Sequence, residues 1–463
     1  MMWYGFVKHK LPVDPLDIQA IIGNLLFTFS YTIQNHSGAR TLHVAIVGNG
    51  VTGVSAAIRL RGKRPDWRIT IISGESQYHY SRPALMYIFM GHMSYQSTKP
   101  FEDGFWNKNR LDLIRDWVTE IDTANNRLIL HKRDPLNYDK LLIATGSKSN
   151  KFGWPGEDLE GVQGLYSLQD LRTLYDTVKR TTHAVIVGGG LIGIELAEML
   201  HSRNIHVTFL VRESSYWDNI MPKEESEMLN RIIREQGLGL KLSTNLVEIE
   251  DDGSGRACAV HTDPDDRIEC QMVGLTAGVS PNIDLTDESD IETGRGILVN
   301  QQFQTNIPNV YAAGDCAEIV TGGEPNLIQQ VWYTGKMQGK VAGEVLSGED
   351  ISYNPGIWYN SAKFLDLEYE VYGQVNLNIP GEKNLFWEHA NHRHAIRVVY
   401  TDEGVIGLNL MGLRYRHEVC ERWIAEKQTV DYVLGNLAQA NFDPEFFQSH
   451  ETEIVPTLRE QIQ

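Results

Sequence analysis

Apolar residues in this chain come in short runs, and one run occurs twice. His43–Leu60 reads HVAIVGNGVTGVSAAIRL, and His183–Leu200 reads HAVIVGGGLIGIELAEML. In each copy a compact apolar stretch ends at a glycine, and the residues after it carry apolar positions at helical spacing. A second apolar run follows each copy, ITIISGES from Ile69 and VTFLVRES from Val207. Strand, glycine-rich turn, helix and strand make a βαβ unit, which sets both strands in a parallel sheet. From about residue 347 the pattern changes. YEVYGQV, HAIRVVY and GVIGLNL alternate as strands, and RHEVCERWIAEK and VDYVLGNLAQA repeat as helices.

These patterns predict an α/β fold with two Rossmann-like three-layer dinucleotide-binding domains and a C-terminal α+β domain. Residues 1–40 are expected to form an N-terminal helical extension and 348–463 the last domain. The division of the rest into 41–153 and 283–347 for the first nucleotide domain and 154–282 for the second, and an interface role for the last domain, are what a family resemblance carried by the motifs that follow implies.

The first forty residues are unlike the rest. DPLDIQAIIGNLLFTFSYTIQNHSG reads as a helix with Asp14 as N-cap, Pro15 in the first turn and Gly38 just beyond its end. No charged residue lies between Asp17 and Arg40, yet Gln19, Asn24, Thr28, Ser30 and Thr32 interrupt the apolar run, so it is a poor membrane span. Lys8 and Lys10 precede it without a small-x-small cleavage site. The helix is read as a cover for an apolar patch of its own protein or a second subunit. The alternative is a helix docked on a partner or lying on a membrane surface.

Composition narrows the function. The net charge of −18, from 42 basic and 60 acidic residues, disfavours a nucleic-acid binder, which needs a basic face. Four cysteines, Cys258, Cys270, Cys316 and Cys420, include no C-x-x-C pair and are read as small packing residues of a cytoplasmic protein.

The glycines supply the first chemistry. Gly48, Gly50 and Gly53, with Val51 and Thr52 between them, make a G-x-G-x-x-G turn between strand and helix. The first glycine permits the tight turn, the second admits a pyrophosphate to the backbone, and the third lets helix and strand pack closely. The helix N-terminus then offers free amides and a positive dipole end. Glu75, 22 residues after Gly53, suits a ribose hydroxyl. Gly188, Gly190 and Gly193, with Leu191 and Ile192, repeat the turn. There Glu213 favours NADH and its neighbour Arg212 the 2′-phosphate of NADPH, so the coenzyme stays open.

Three more segments complete a pattern. YDKLLIATGS places Ala144, Thr145 and Gly146 just past a strand, LTAGVSPN does the same with Ala277 and Gly278, and TNIPNVYAAGDCAEI holds Gly314 and Asp315. With these the chain resembles, over about Leu42–Gly348, the two-dinucleotide flavoproteins of the pyridine-nucleotide–disulfide oxidoreductase superfamily. The resemblance implies FAD on the first unit and NAD(P)H on the second. It implies that Asp315 binds a ribityl hydroxyl, that Ser81 and Arg82 help hold the FAD pyrophosphate, and that Glu195 orients the nicotinamide. Val118 is counted with the FAD contacts, and Ala277 and Gly278 with those of NAD(P)H. The segment Asn326–Leu346 is read as one helix aimed at the flavin.

YSRPALMY, residues 80–87, departs from the disulfide-reducing relatives. Pro83 stands where they carry a redox cysteine, and Tyr87 where ferredoxin reductases often carry a lysine. The Tyr-Ser-Arg-Pro form resembles the NADH:rubredoxin reductase branch and the flavin domain of nitrite reductases. What this implies is hydride transfer from NAD(P)H to flavin N5 and onward transfer to an iron–sulfur carrier of rubredoxin or ferredoxin type, without a cysteine nucleophile. The alternatives are an NAD(P)H oxidase or small-molecule reductase, and a non-catalytic FAD-holding sensor or assembly protein. A homodimer or larger complex is expected through the C-terminal domain or the N-terminal helix. His389, His392 and His394 are read as loop histidines with no metal. Trp358, Tyr359 and Phe364 are read as core aromatics, or else as the wall of an acceptor site.

Overall fold

The computed structural model describes residues 41–323, 325–442 and 448–462. The helix expected over 14–38 lies outside the described residues.

The first copy of the repeat forms strand β1 (His43–Val47), helix α1 (Val51–Lys63) and strand β2 (Arg68–Ile72). Strands β3 (Leu111–Ile114) and β4 (Lys140–Ile143) extend the same sheet. β1 pairs in parallel with β2 on one side and β4 on the other. Such a central strand is covered on both faces, which is why Val44, Ala45 and Ile46 are all buried and the sequence shows a run rather than alternation. Burying each large side chain here contributes roughly 1.5–3 kcal/mol before entropy is counted.

Between β2 and β3, residues 82–84 make a 3₁₀ turn that leads into the short helix α2 (Leu85–Phe89). The chain then leaves for a second parallel sheet. This contains β5 (Val162–Gln163), β6 (His183–Val187), helix α3 (Leu191–His201), β7 (His206–Leu210), helix α4 (Lys223–Glu235), β8 (Gly239–Lys241) and β9 (Met272–Leu275). The sheet order is β8-β7-β6-β9-β5. Thus β6 sits between β7 and β9 as β1 sits between β2 and β4.

The chain returns to the first sheet through β10 (Val310–Ala312), giving the order β10-β4-β1-β2-β3. Two antiparallel segments, Ser147–Ser149 and Val279–Pro281, pair where the chain crosses between the sheets. Helix α5 (Trp332–Leu346) then packs on α1. Its glycines make this close approach feasible: a Cβ at Gly339 would meet the Thr52 carbonyl oxygen at 2.3 Å.

The helix expected over 326–346 begins only at Trp332. Leu327 exchanges both backbone hydrogen bonds with Ile319, at 2.9 and 3.0 Å, so the segment before the helix is extended.

The last part is an antiparallel sheet of β11 (Tyr359–Phe364), β12 (Leu367–Gly373), β13 (Lys383–Glu388), β14 (Ala395–Thr401) and β15 (Gly404–Met411), in the order β11-β12-β15-β14-β13. Helices α6 (His417–Ala425), α7 (Val430–Gly435) and α8 (Glu451–Arg459) follow. The single helix expected over VDYVLGNLAQA breaks after Gly435 and resumes as a 3₁₀ turn at 437–440. Trp423, Val433 and Leu458 close one core with Leu408 and Leu410 of β15. No helix among the described residues is long and apolar enough to cross a membrane.

Candidate functional site

Both glycine turns have a shape that suits a dinucleotide. Gly48 holds φ +113°, and a Cβ there would meet the Ala144 carbonyl oxygen at 2.1 Å. The tight turn is thus seated on the Ala-Thr-Gly segment at the end of β4. Gly53 lies against the backbone of Gly48, where a Cβ would come within 2.1 Å of its oxygen. Gly50, between them, has no neighbour within 4 Å of a built Cβ. Gly50 also stands at the N-cap of α1 without a side-chain cap, so the first amides of the helix face an open approach. The second turn has the same arrangement. Gly188 (φ +117°) sits on the Thr276 carbonyl, which leads into Ala277 and Gly278, while Gly190 is open. Val51, Thr52, Leu191 and Ile192 occupy the first turns of the two helices.

Asp315 follows β10 and is half-buried. Its Oδ2 accepts a hydrogen bond from Ser147 Oγ at 3.0 Å, and Ser147 Oγ accepts another from Gln330 Nε2 at 2.8 Å. Burial pushes the Asp315 carboxyl up to about 6, against the Ser147 bond and the charge of Arg82. Gly314 makes room for the first turn: with φ +82°, a Cβ there would meet Thr52 Oγ1 at 2.4 Å. Its amide donates to Gln338 Oε1 of α5 at 2.7 Å. Gly314, Thr52 and α5 are therefore packed together. Thr145 Oγ1 donates to the Asn282 carbonyl at 2.6 Å, which ties the two crossing segments together.

Glu75 and Arg82 face each other. Arg82 Nη2 lies 2.8 Å from Glu75 Oε2, and Arg82 Nη1 lies 3.0 Å from Oε1. Oε1 also accepts from the Tyr80 hydroxyl and from the Leu168 amide. Burial opposes the charge on Glu75, but Arg82 and these donors hold its carboxyl below the usual range. The guanidinium stacks on Tyr166, 4.3 Å from the ring centroid, and donates to its carbonyl. Tyr166 Oη in turn accepts from the Ser147 amide at 2.9 Å. A continuous chain of contacts thus runs from Glu75 to Asp315. The sequence suggested a ribose role for Glu75 and a pyrophosphate role for Arg82. The structure first shows them as an ion pair, which any ligand contact must share. Ser81 precedes the 3₁₀ turn without capping it through its hydroxyl. Val118 begins a short strand over the first core, next to Trp117, whose ring covers Gly74.

On the second turn, Glu195 is half-buried in α3. Burial, with the charge of Glu198 adding to it, pushes its carboxyl up to about 7. Glu198, one turn on, pairs with Lys363 of β11 at 2.8 Å. Arg212 and Glu213 sit side by side after β7, with Arg212 Nη2 2.8 Å from Glu213 Oε1. Arg212 is largely exposed.

Sulfur is the last question at this site. Pro83 lies in the 3₁₀ turn, and Cys316 follows Asp315 directly. The Cys316 thiol is buried and contacts the carbonyls of Ile143 and Ala313, each at 3.5 Å. All four cysteines are free thiols, and burial above all pushes each of them up. Nucleophilic sulfur is thiolate sulfur, so none is poised near neutral pH.

The aromatic segment is core at Phe364 and half-buried at Trp358 and Tyr359. Phe364 is fully buried, and Tyr359 packs among Tyr333, Tyr372 and His417. Of the three histidines read as a loop group, His392 is exposed and bonds Glu388 at 2.8 Å, whereas His389 and His394 meet His450, which no spacing in the sequence suggested.

Two glycine turns, each opening a helix beside a parallel strand, and an aspartate held at the end of a third strand define a flavoprotein oxidoreductase that draws on a pyridine nucleotide. The chain belongs to the pyridine nucleotide-disulphide oxidoreductase family, whose model matches residues 42–339. It is 32% identical over 316 residues to an NADH-rubredoxin oxidoreductase of Clostridium acetobutylicum, covering 68% of this chain and 77% of that one. It is 28% identical to an assimilatory nitrate reductase electron transfer subunit of Bacillus subtilis, a match that spans 59% of this chain but only 36% of that longer protein. The solved structure of NADH:rubredoxin oxidoreductase from Clostridium acetobutylicum superposes with a TM-score of 0.67 at 26% identity, covering 86% of this chain and all of that one.

Proposed function

We propose that the chain oxidises NADH or NADPH on a bound FAD and delivers the electrons to an iron–sulfur carrier protein of rubredoxin or ferredoxin type. The observation that carries this reading is the lack of a poised sulfur. Pro83 supplies no thiol, and the Cys316 thiol turns to the Ile143 carbonyl. Reduction of a disulfide or persulfide through the protein's own cysteine has no group to start from. The related rubredoxin reductase supports a protein acceptor.

FAD, when bound, supplies the exchange between hydride and single electrons. The residues of the chain do the rest. The open amides after Gly48 and Gly188 receive the two pyrophosphates. Asp315, held by Ser147, which Gln330 holds in turn, would accept a hydrogen bond from a sugar hydroxyl of the cofactor. Glu195 accepts from the carboxamide of the nicotinamide and orients it for transfer. Glu213 takes the coenzyme ribose and Arg212 a 2′-phosphate when one is present. The remaining assignments, Gly50, Val51, Thr52, Gly53, Glu75, Ser81, Arg82, Val118 and Ala144–Gly146 to FAD and Gly190–Gly193, Ala277 and Gly278 to the coenzyme, follow from their place around these turns. The two intact turns speak against a protein that merely holds FAD. Four free thiols suit a reducing, cytoplasmic setting. Assembly is assigned to the C-terminal sheet or the N-terminal segment.

The test is anaerobic. The flavoprotein is reduced by one equivalent of NADH or NADPH, then mixed with oxidised rubredoxin, with a [2Fe–2S] ferredoxin, or with oxygen. Reoxidation at least a hundredfold faster with an iron–sulfur protein than with oxygen supports the proposal. Fastest reoxidation by oxygen makes the chain an oxidase, and no bleaching by either nicotinamide removes the reading altogether.

A further inference from the structure

The hairpin between β13 and β14 and the start of α8 bring together a set of donors that the electron-transfer reading does not use. His389 opens the hairpin turn, and its amide donates to the His394 carbonyl at 2.8 Å. His450 immediately precedes α8, where its carbonyl accepts from the amides of Glu453 and Ile454, each at 2.9 Å. Its ring centroid lies 4.9 Å from that of His389 and 4.6 Å from that of His394.

His450 is 1% exposed, and neither of its ring nitrogens has a hydrogen-bond partner. An imidazole always carries at least one donor nitrogen, and when neutral also an acceptor. Leaving both unpaired away from water is costly, so a native structure rarely does it without a reason. One nitrogen of His450, one of His389 and a carboxylate oxygen of Glu453 all lie within 4.8 Å of one another. Glu453 Oε2 is 3.9 Å from His389 Nε2.

We propose that His389, His450 and Glu453 bind a divalent first-row transition ion, Zn²⁺ being the natural test case, that fastens α8 to the β13–β14 hairpin. Two imidazoles and one carboxylate suit such an ion, whereas Ca²⁺ and Mg²⁺ prefer oxygen alone. With metal–ligand distances of about 2.0–2.2 Å, tetrahedral donors stand roughly 3.4 Å apart, so donors set as much as 4.8 Å apart must draw in by up to about 1.4 Å. Glu453 is the donor free to move: its side chain is 55% exposed on the first turn of α8. Solvent fills the remaining position. The place of the ion agrees with a second tie between the same elements. Gln461, just after α8, exchanges two hydrogen bonds at 2.9 Å with the backbone of Phe386 in β13. The proposal departs from the expectation that the histidines of the hairpin serve no metal.

The experiment uses untagged full-length flavoprotein, stripped with a chelator and titrated with Zn²⁺ against a chromophoric competitor, with metal counted by mass spectrometry. One Zn²⁺ per chain with micromolar or tighter affinity is expected, together with a rise of a few degrees in Tm. Glu453→Gln and His389→Gln each weaken binding at least tenfold and abolish the Tm shift, while His392→Gln, on the same turn but outside the set, changes neither. His450→Gln alters a buried side chain, so the exposed Glu453 variant carries the decision. No stoichiometric Zn²⁺ in the parent protein, or equal affinity in Glu453→Gln and His389→Gln, overturns the proposal. Reduction of the flavin by NADH is the same with and without the ion, which keeps this result separate from the electron-transfer reading.

Discussion

Ser147 holds Asp315 by a 3.0 Å hydrogen bond across the boundary between the crossing segment and the first sheet. The carboxylate is thereby aimed before any ligand arrives, at the cost of standing in a poorly solvated place. Its carboxyl titrates at about 6 rather than the ordinary 3.8. A raised acid binds more protons in the folded state, so the apoprotein loses stability as pH rises from about 4 through 6, and the loss is constant above that. After discounting for partial exposure the penalty is on the order of 1–2 kcal/mol.

Asp315→Asn removes that penalty and, on the proposed role, weakens the hydrogen bond to FAD. The apoprotein variant should melt higher than the parent at pH 7.5, and the difference should vanish at pH 4. FAD affinity should fall at least tenfold. Calorimetry of the apoproteins and fluorescence titration with FAD measure the two effects. A variant that melts lower at pH 7.5 would contradict the assigned environment.

Glu195 titrates at about 7, so its charge changes within the working range of an enzyme. The rate of flavin reduction by NADH in stopped flow should inflect near pH 7 in the parent protein. In Glu195→Gln the inflection should disappear and the rate should drop by about 10- to 100-fold, the scale of a lost orienting contact. An unchanged inflection would assign it to another group.

Arg397 of β14 reaches across to α4, where Nε and Nη2 each meet an oxygen of Glu225 at 2.8 Å and Nη2 meets Glu224 at 2.7 Å. Glu225 is completely buried and also accepts from Asn409 at 3.1 Å. Arg397→Met leaves that carboxylate without its cation and should cost about 3–5 kcal/mol. The double variant Arg397→Met with Glu225→Leu should recover most of the loss. Tm values of the two variants and the parent test this. Equal destabilisation in single and double variants would mean that packing, rather than charge, is what Arg397 supplies.

Arg212 is exposed beside Glu213. Arg212→Ala should reduce kcat/KM for NADPH by tenfold or more and leave that for NADH within about twofold, because only the 2′-phosphate needs the cation. Steady-state kinetics with both coenzymes measure it.

Much of this architecture was legible in the sequence because it is local. The strand before each glycine turn is buried on both faces, so its apolar run and the turn after it are contiguous. The late start of α5 was not legible, since Leu327 is drawn out of the helix by Ile319, a partner on an earlier strand. Nor was the ion pair of Glu75 with Arg82, whose geometry depends on Tyr166, 84 residues further along. His450 stands 61 residues from His389 in the chain, and only the packing of α8 on the hairpin makes them neighbours. Chemistry assembled by distant contacts leaves no spacing to read.

The inward turn of the Cys316 thiol has a consequence for how long the protein works under oxidative stress. A catalyst whose electrons pass over an exposed thiolate can be silenced by peroxide or alkylating agents, and then needs repair. Here the thiol beside Asp315, that of Cys316, is fully buried against the carbonyls of Ile143 and Ala313, so such reagents find no exposed sulfur at that position.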